Sequence, residues 1–131
     1  MRIIRPIDQE RSSRGAFSRG VAISRSTGAQ NLWVAYAEMA PGAVSGAHHH
    51  GPAETAIFIV DGSARFFVGP DQSEALDAET GDFVWVEPGE VHVEMNRSPA
   101  EPLRMVVVRT PDDIAVDAPY SRAALPGDHS S

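Results

Sequence analysis

Gly42-Ala43-Val44-Ser45-Gly46-Ala47-His48-His49-His50-Gly51-Pro52-Ala53-Glu54-Thr55-Ala56-Ile57-Phe58-Ile59-Val60-Asp61-Gly62 is the stretch whose reading decides the fold. Glu54 to Val60 is rich in Ile, Val and Phe and predicts a buried strand. Asn31 to Met39, just upstream, predicts another. The three consecutive histidines therefore sit at the mouth of a sheet. In extended chain, residues two apart share a face and lie about 6.5–7 Å apart. That places His48 and His50 on one side and His49 on the other. Two imidazoles leaning together from such positions can meet one metal at about 2.0–2.1 Å each. Glu54 keeps their parity, but the bend at Gly51-Pro52 breaks strict alternation. Imidazole with carboxylate suits Mn, Fe, Co, Ni, Cu or Zn. Taken alone, the triplet also fits an idle surface loop.

Further on, Gly81-Asp82-Phe83-Val84-Trp85-Val86-Glu87-Pro88-Gly89-Glu90-Val91-His92-Val93-Glu94-Met95-Asn96 predicts a strand, a Pro-Gly turn and a second strand bearing His92. Together the two stretches resemble the cupin superfamily. Its first motif runs Gly, five residues, His, one residue, His, three or four residues, Glu, six residues, Gly. Gly42, His48, His50 and Glu54 follow that spacing. Its second motif ends in Gly, two residues, His, three residues, Asn, and Gly81, Gly89, His92 and Asn96 fall in register. The likeness covers residues 31 to 109.

Two positions depart from the pattern. Seven residues separate Glu54 from Gly62, so counting back from Gly62 puts Thr55 in the glutamate position. Counting forward from His50 gives Glu54, the reading adopted, because the loop that carries the histidines sets the ligand distances. In the second motif Glu87 replaces the usual proline, and Pro88 follows one place late. A proline at either place stiffens the turn by fixing φ near −65°. The resemblance implies an all-β, cupin-type jelly-roll β-barrel with little or no helix. It implies one divalent transition metal per chain (Fe, Mn, Ni, Cu, Co or Zn), held by His48, His50, Glu54 and His92, with His49 facing away.

Composition narrows the alternatives. The chain has 131 residues, 42% of them hydrophobic, enough for one domain with a real core. Without cysteine, thiolate zinc sites, disulfides and cysteine nucleophiles drop out. Neither a signal-peptide core in the first ten residues nor a run long enough to span a bilayer is visible, so a cytoplasmic protein is expected. The net charge of −7 speaks against nucleic-acid binding. All eleven basic residues are arginine, and Arg2, Arg5, Arg11, Arg14, Arg19 and Arg25 precede residue 26. Such an arm is expected to pair with the acidic body of its own chain or of a second subunit.

In order, residues 1–30 form an N-terminal arm with a first strand over Gly20 to Ser24, residues 31–117 the barrel, and residues 118–131 a tail containing His129. Further strands are expected over Ala64 to Val68, Ser73 to Ala78 (an edge), Phe83 to Val86, Val91 to Met95, Leu103 to Arg109 and Ile114 to Val116. Asp61-Gly62 predicts a hairpin turn, since both residues tolerate positive φ. Short strands punctuated by ten prolines and eleven glycines are an all-β signature.

Around the metal, Glu94 shares parity with His92 and is a catalytic candidate, as orienter or base. Tyr36, on the strand entering the first motif, is a second. Arg65 and Arg109 are candidates for binding an anionic substrate. Phe58, Phe66, Phe67 and Trp85 are expected in the core. The resemblance implies a metal-dependent enzyme acting on a small organic molecule: dioxygenase-like with Fe, Mn, Cu or Ni, and isomerase-, cyclase- or lyase-like with Zn. The alternatives are a non-catalytic binder of a sugar or other small molecule, and a metal-free histidine network. Similar small cupins imply a homodimer.

Overall fold

The structure is a computed structural model and describes residues 1–119. The tail expected from residue 118 onward, His129 included, lies outside the described residues apart from Ala118 and Pro119.

Eleven antiparallel strands make up the described chain: β1 (Glu10–Arg14), β2 (Phe17–Ile23), β3 (Trp33–Met39), β4 (His48–His49), β5 (Glu54–Asp61), β6 (Ser63–Val68), β7 (Glu74–Glu79), β8 (Phe83–Val86), β9 (Val93–Asn96), β10 (Leu103–Thr110) and β11 (Val116–Asp117). Helix is limited to three single 3-10 turns, at Pro6–Asp8, Arg25–Thr27 and Pro70–Gln72. A six-stranded sheet runs β1-β2-β3-β10-β5-β8, a three-stranded sheet runs β7-β6-β9, and β4 pairs with β11. The fold is the expected all-β jelly-roll barrel.

The core follows from alternation. On β3, Trp33, Ala35, Ala37 and Met39 are buried, while Tyr36 between them is exposed. On β10, Leu103, Met105 and Val107 face inward, and on β5, Ile57 and Ile59 do. The same parity carries Arg109 and Thr55 inward at the strand ends. Trp33, Arg109 and Thr55 are direct register partners across β3, β10 and β5, so one row of the sheet presents an indole, a guanidinium and a hydroxyl to the interior.

Three expectations need correction. Residues 10–14, read as arm, form β1, which is exposed throughout and pairs with β2 at the sheet edge. An all-polar edge strand carries no apolar alternation to reveal it. Asp61-Gly62 is no hairpin turn, because β5 pairs with β10 and β8 whereas β6 pairs with β7 and β9. The chain instead crosses from one sheet to the other at Gly62. There φ is +119°, and a Cβ would lie 3.1 Å from Leu103 Cδ1 and 3.2 Å from its Cα, so only glycine fits. Finally, Phe66 and Phe67 are core, but Phe58 is half-buried and Trp85 is exposed on the outer face.

The second motif's ends also have structural duties. Glu87-Pro88-Gly89-Glu90 closes with a Glu90 N–H to Glu87 O bond of 3.2 Å, and Gly89 takes φ +76°. Proline then glycine at the two central positions is the pattern of a type II turn. The Asn96 amide donates to the carbonyls of Met39 (3.3 Å), Ala40 (3.1 Å) and Glu101 (2.8 Å), and its oxygen accepts from the Ser98 N–H. One buried side chain thereby ties the end of β3 to the loop between β9 and β10.

Candidate metal centre

His48 and His92 lie opposite each other and exchange both backbone hydrogen bonds, His48 N–H to His92 O at 3.1 Å and the reverse at 2.9 Å. His50 follows two residues after His48, with the same facing, at the start of a turn closed by Ala53 N–H to His50 O. The two sequence motifs thus meet through the main chain. One nitrogen from each of His48, His50 and His92 lies within 4.8 Å of the other two. The rings sit 4.4 to 5.2 Å apart, centroid to centroid.

Each ring is held by a backbone carbonyl. Nδ1 of His48 bonds Gly46 O at 2.8 Å, Nδ1 of His50 bonds Ile114 O at 2.7 Å, and Nδ1 of His92 bonds Glu90 O at 2.9 Å. A carbonyl only accepts, so each Nδ1 carries the proton, and each Nε2 of a neutral ring keeps its lone pair. Neutrality follows from burial, which lowers all three: His48 below its ordinary value, His50 to about 3 with Arg109 as the second cause, and His92 to about 4 with His48 as the second. Carbonyl-anchored, neutral imidazoles with converging lone pairs are what a divalent metal requires of histidine ligands. The donor set fits the metal that this fold implies. His49 is outside the cluster, and its Nδ1 accepts from Gly51 N–H.

Glu54 is not brought to this site. It lies exposed on the outer face of β5, where its carboxylate accepts from the Trp85 indole N–H at 2.6 Å. Thr55 holds the inward position, 1% exposed, with Oγ1 unbonded. The turn at Gly51 (φ +56°) resets the parity between His50 and β5, so the count back from Gly62 is the one that finds the inward residue. That residue is a hydroxyl rather than a carboxylate.

Of the other candidates, Glu94 is at the site. It is 3% exposed, lines the same cavity as the three histidines, and its Oε2 has no hydrogen-bond partner. Burial pushes its carboxyl up to about 8, against the opposing pull of Arg109. Arg109 is there too. One Nη donates to His50 Nε2 at 3.2 Å, the other pairs with Asp113 at 3.0 Å, and Nε is buried without a partner. Burial lowers its guanidinium to about 10. Tyr36 points outward from β3, and Arg65 forms a surface pair with Asp77 at 2.7 Å, so neither reaches the cavity.

Sequence reasoning missed Arg19, Trp33 and Asp113. Asp113 accepts from Arg19 at 2.9 Å, Arg109 at 3.0 Å and Arg14 at 3.4 Å, and the Arg19 and Arg109 guanidiniums lie 5.0 and 5.2 Å from the Trp33 ring centre. Arg25 pairs with Asp112 at 3.0 Å. Three of the six N-terminal arginines, Arg14, Arg19 and Arg25, thus meet acidic groups of their own chain. Arg19 and Trp33 were findable from strand parity, whereas Asp113, in a loop, gives no local signal. The cavity holds about 150 Å³, and Phe17, Ile57, Met105 and Val107 form its apolar wall.

A family model described as the cupin domain matches residues 35–109, more than half the chain. The chain belongs to the cupin domain family. The cupin fold is also what solved structures share with it. The polyketide cyclase RemF from Streptomyces resistomycificus is 20% identical over 95% of this chain and 89% of its own, with a TM-score of 0.76. An uncharacterised protein with a double-stranded β-helix domain from Klebsiella pneumoniae subsp. pneumoniae MGH 78578 is 25% identical over 89% and 91%, with a TM-score of 0.70. A Bacillus subtilis oxalate decarboxylase variant is 23% identical over 86% of this chain but 31% of its own, also at 0.70. A search of curated proteins finds no match to this cupin. Among its described residues no helix is long and apolar enough to cross a membrane.

Proposed function

We propose that this cupin is a metal-dependent enzyme that acts on a small organic molecule by Lewis-acid and proton-transfer chemistry, in the manner of an isomerase, cyclase or lyase. The observation that carries the reading is the convergence of three carbonyl-anchored, neutral imidazoles on a cavity that also holds a buried carboxyl group. His48, His50 and His92 are the residues to hold the cation. Three imidazoles with no carboxylate suit Zn, Cu, Fe or Ni, and three protein ligands with an open position are the pattern of catalytic zinc sites. A divalent cation bound there supplies Lewis-acid polarisation of a carbonyl or activation of water.

The chain's own residues do the rest. Glu94 lines the cavity and its buried Oε2 has no hydrogen-bond partner, which suits it to hold or move a proton. The apolar wall excludes water and strengthens every charge interaction within. The Streptomyces protein that shares the fold is a polyketide cyclase, an activity of the same reaction class.

Elemental analysis of untagged protein, purified without added metal, tests the reading first. About one metal per chain, lost on substitution of His50 or His92, supports it. Protein that takes up no metal, and is not stabilised by Zn, Cu, Fe or Ni, overturns it. Metal-loaded protein that binds but never turns over its ligand overturns the enzymatic part alone.

A further inference from the structure

The surroundings of Arg109 say what kind of molecule the cavity takes. A guanidinium carries five N–H donors in a planar fork. In Arg109, one Nη is committed to Asp113 Oδ1 and the other to His50 Nε2, while Nε, buried, has no partner. Leaving a buried donor unpaired is costly, so an unpartnered one lining a cavity marks a place for an acceptor. Glu94 Oε2, in the same cavity, is likewise unpartnered, and the two residues do not bond each other. Both residues line one cavity of about 150 Å³.

The contact with His50 adds a second argument. His50 Nε2 is the lone pair a cation needs, and Arg109 fills it at 3.2 Å. A bound cation takes that lone pair, and the Nη that held it loses its acceptor. Arg109 then presents two free donors, Nε and this Nη, to whatever lies next to the cation. The planar oxyanion that matches such a fork is a carboxylate.

Position is also fixed. Arg109 is anchored by Asp113 and by packing over Trp33, which holds Arg19 as well. Beside these cations, on the same six-stranded sheet, Phe17, Ile57, Met105 and Val107 line the cavity. A volume of about 150 Å³ is that of an engineered apolar cavity known to accept benzene, so one ring or a short chain fills this one.

We propose that Arg109 is the anion receptor of this cavity, and that the ligand it receives is a small organic carboxylate with a flat apolar body. The proposal deepens the metal-enzyme reading and rests on it for the freed Nη, though not for the unpartnered Nε. Arg65, on the surface with Asp77, has no part in it.

Isothermal titration of the full chain with benzoate and with benzamide, its neutral isostere, tests the proposal. The readout is binding, with metal content measured alongside. Zinc-loaded protein is expected to bind benzoate about tenfold or more tighter than benzamide, as a charge-assisted pair against a neutral one. Arg109→Met removes the preference, and Arg109→Lys restores part of it while keeping the charge. Equal binding of the two ligands by zinc-loaded wild type overturns the proposal and leaves the metal reading standing. So does a preference that survives in Arg109→Met. If the protein takes up no metal, the metal reading falls, and the same titration of metal-free protein decides the anion proposal: an Arg109-dependent preference supports it through Nε, and none overturns it. If Arg109→Met fails to fold, Arg109→Gln makes the same comparison, and a preference that survives in it overturns the proposal.

Discussion

The Trp85 indole N–H donates to the Glu54 carboxylate at 2.6 Å on the outer face of the barrel, away from the cluster of His48, His50 and His92. That contact takes the expected carboxylate out of the ligand set. Thr55, next in the chain, faces the interior in register with Arg109. A metal at this site would be held by neutral imidazoles and would face the Arg109 guanidinium, where the resemblance led to the expectation of a carboxylate.

Glu54→Ala is therefore expected to leave metal content and metal affinity unchanged. Its cost is a single exposed hydrogen bond, within about 1 kcal/mol of stability. Elemental analysis beside wild type checks this, and a several-fold loss of metal from Glu54→Ala would return that residue to the ligand set.

His48→Ala, His50→Ala and His92→Ala are each expected to lower metal affinity about tenfold or more, and to lower the melting temperature of metal-loaded protein, because cation binding adds to folded-state stability. His49→Ala is expected to change neither, since His49 lies outside the cluster. Competition with a chromophoric chelator gives the affinities. Equal loss from His49→Ala and His50→Ala would sink the assignment.

These outcomes show how far the residues speak for themselves. His48, His50 and His92 were legible because two spaced motifs each place a histidine at a strand mouth, and the chain pairs those mouths through the main chain. Arg109 was legible by parity with Leu103, Met105 and Val107 on one strand. Glu54 was misread because a left-handed glycine, Gly51, stands between it and His50, and counting cannot pass through such a turn. The polar strand β1 and the loop residue Asp113 were invisible for a different reason. Their roles are set by partners 7 to 99 residues away, Ser12 meeting Arg19 and Asp113 meeting Arg14, and no local pattern records them.

The metal-free protein is expected to be most stable near neutral pH. Burial holds His50 at about 3, His92 at about 4 and His48 below its ordinary 6.5. Between those values and 6.5 the unfolded chain binds more protons than the folded one, so stability falls as pH drops through this window. Glu94 acts oppositely. Its folded value of about 8 exceeds the ordinary 4.5, so its contribution is full below 4.5 and is lost as pH rises through 8. Below pH 6 three histidines outweigh one carboxyl, and above 7 the carboxyl acts alone. Urea midpoints of chelator-treated protein across this range check the shape, and Glu94→Gln is expected to remove the alkaline decline only. A flat profile would contradict the assigned burial.

Gly62→Ala is expected to destabilise the fold by about 1–3 kcal/mol, from a left-handed backbone and a methyl group pressed on the Leu103 main chain. Gly46→Ala, which meets nothing within 4 Å, is the control and is expected to cost far less. Denaturant unfolding of both variants measures the difference. Equal losses would mean that the sheet crossing at Gly62 is not under the constraint described.

Asp113 is the test of whether the arginines serve the fold or the ligand. Its carboxylate, 14% exposed, accepts from Arg19 and Arg109 and more distantly from Arg14, so three guanidiniums share one anion. Asp113→Asn keeps the shape and removes the charge. Stability is expected to fall by about 1–3 kcal/mol, since partly buried cations lose their counter-ion. Affinity for a carboxylate ligand is expected to rise, because the uncompensated guanidiniums of Arg19 and Arg109 then draw the incoming anion more strongly. Asp112→Asn, at the exposed pair with Arg25, is expected to change neither quantity measurably. If the arginines were present only to hold the loop, Asp113→Asn would lose stability and gain no affinity for benzoate, and calorimetry beside urea unfolding separates the two roles.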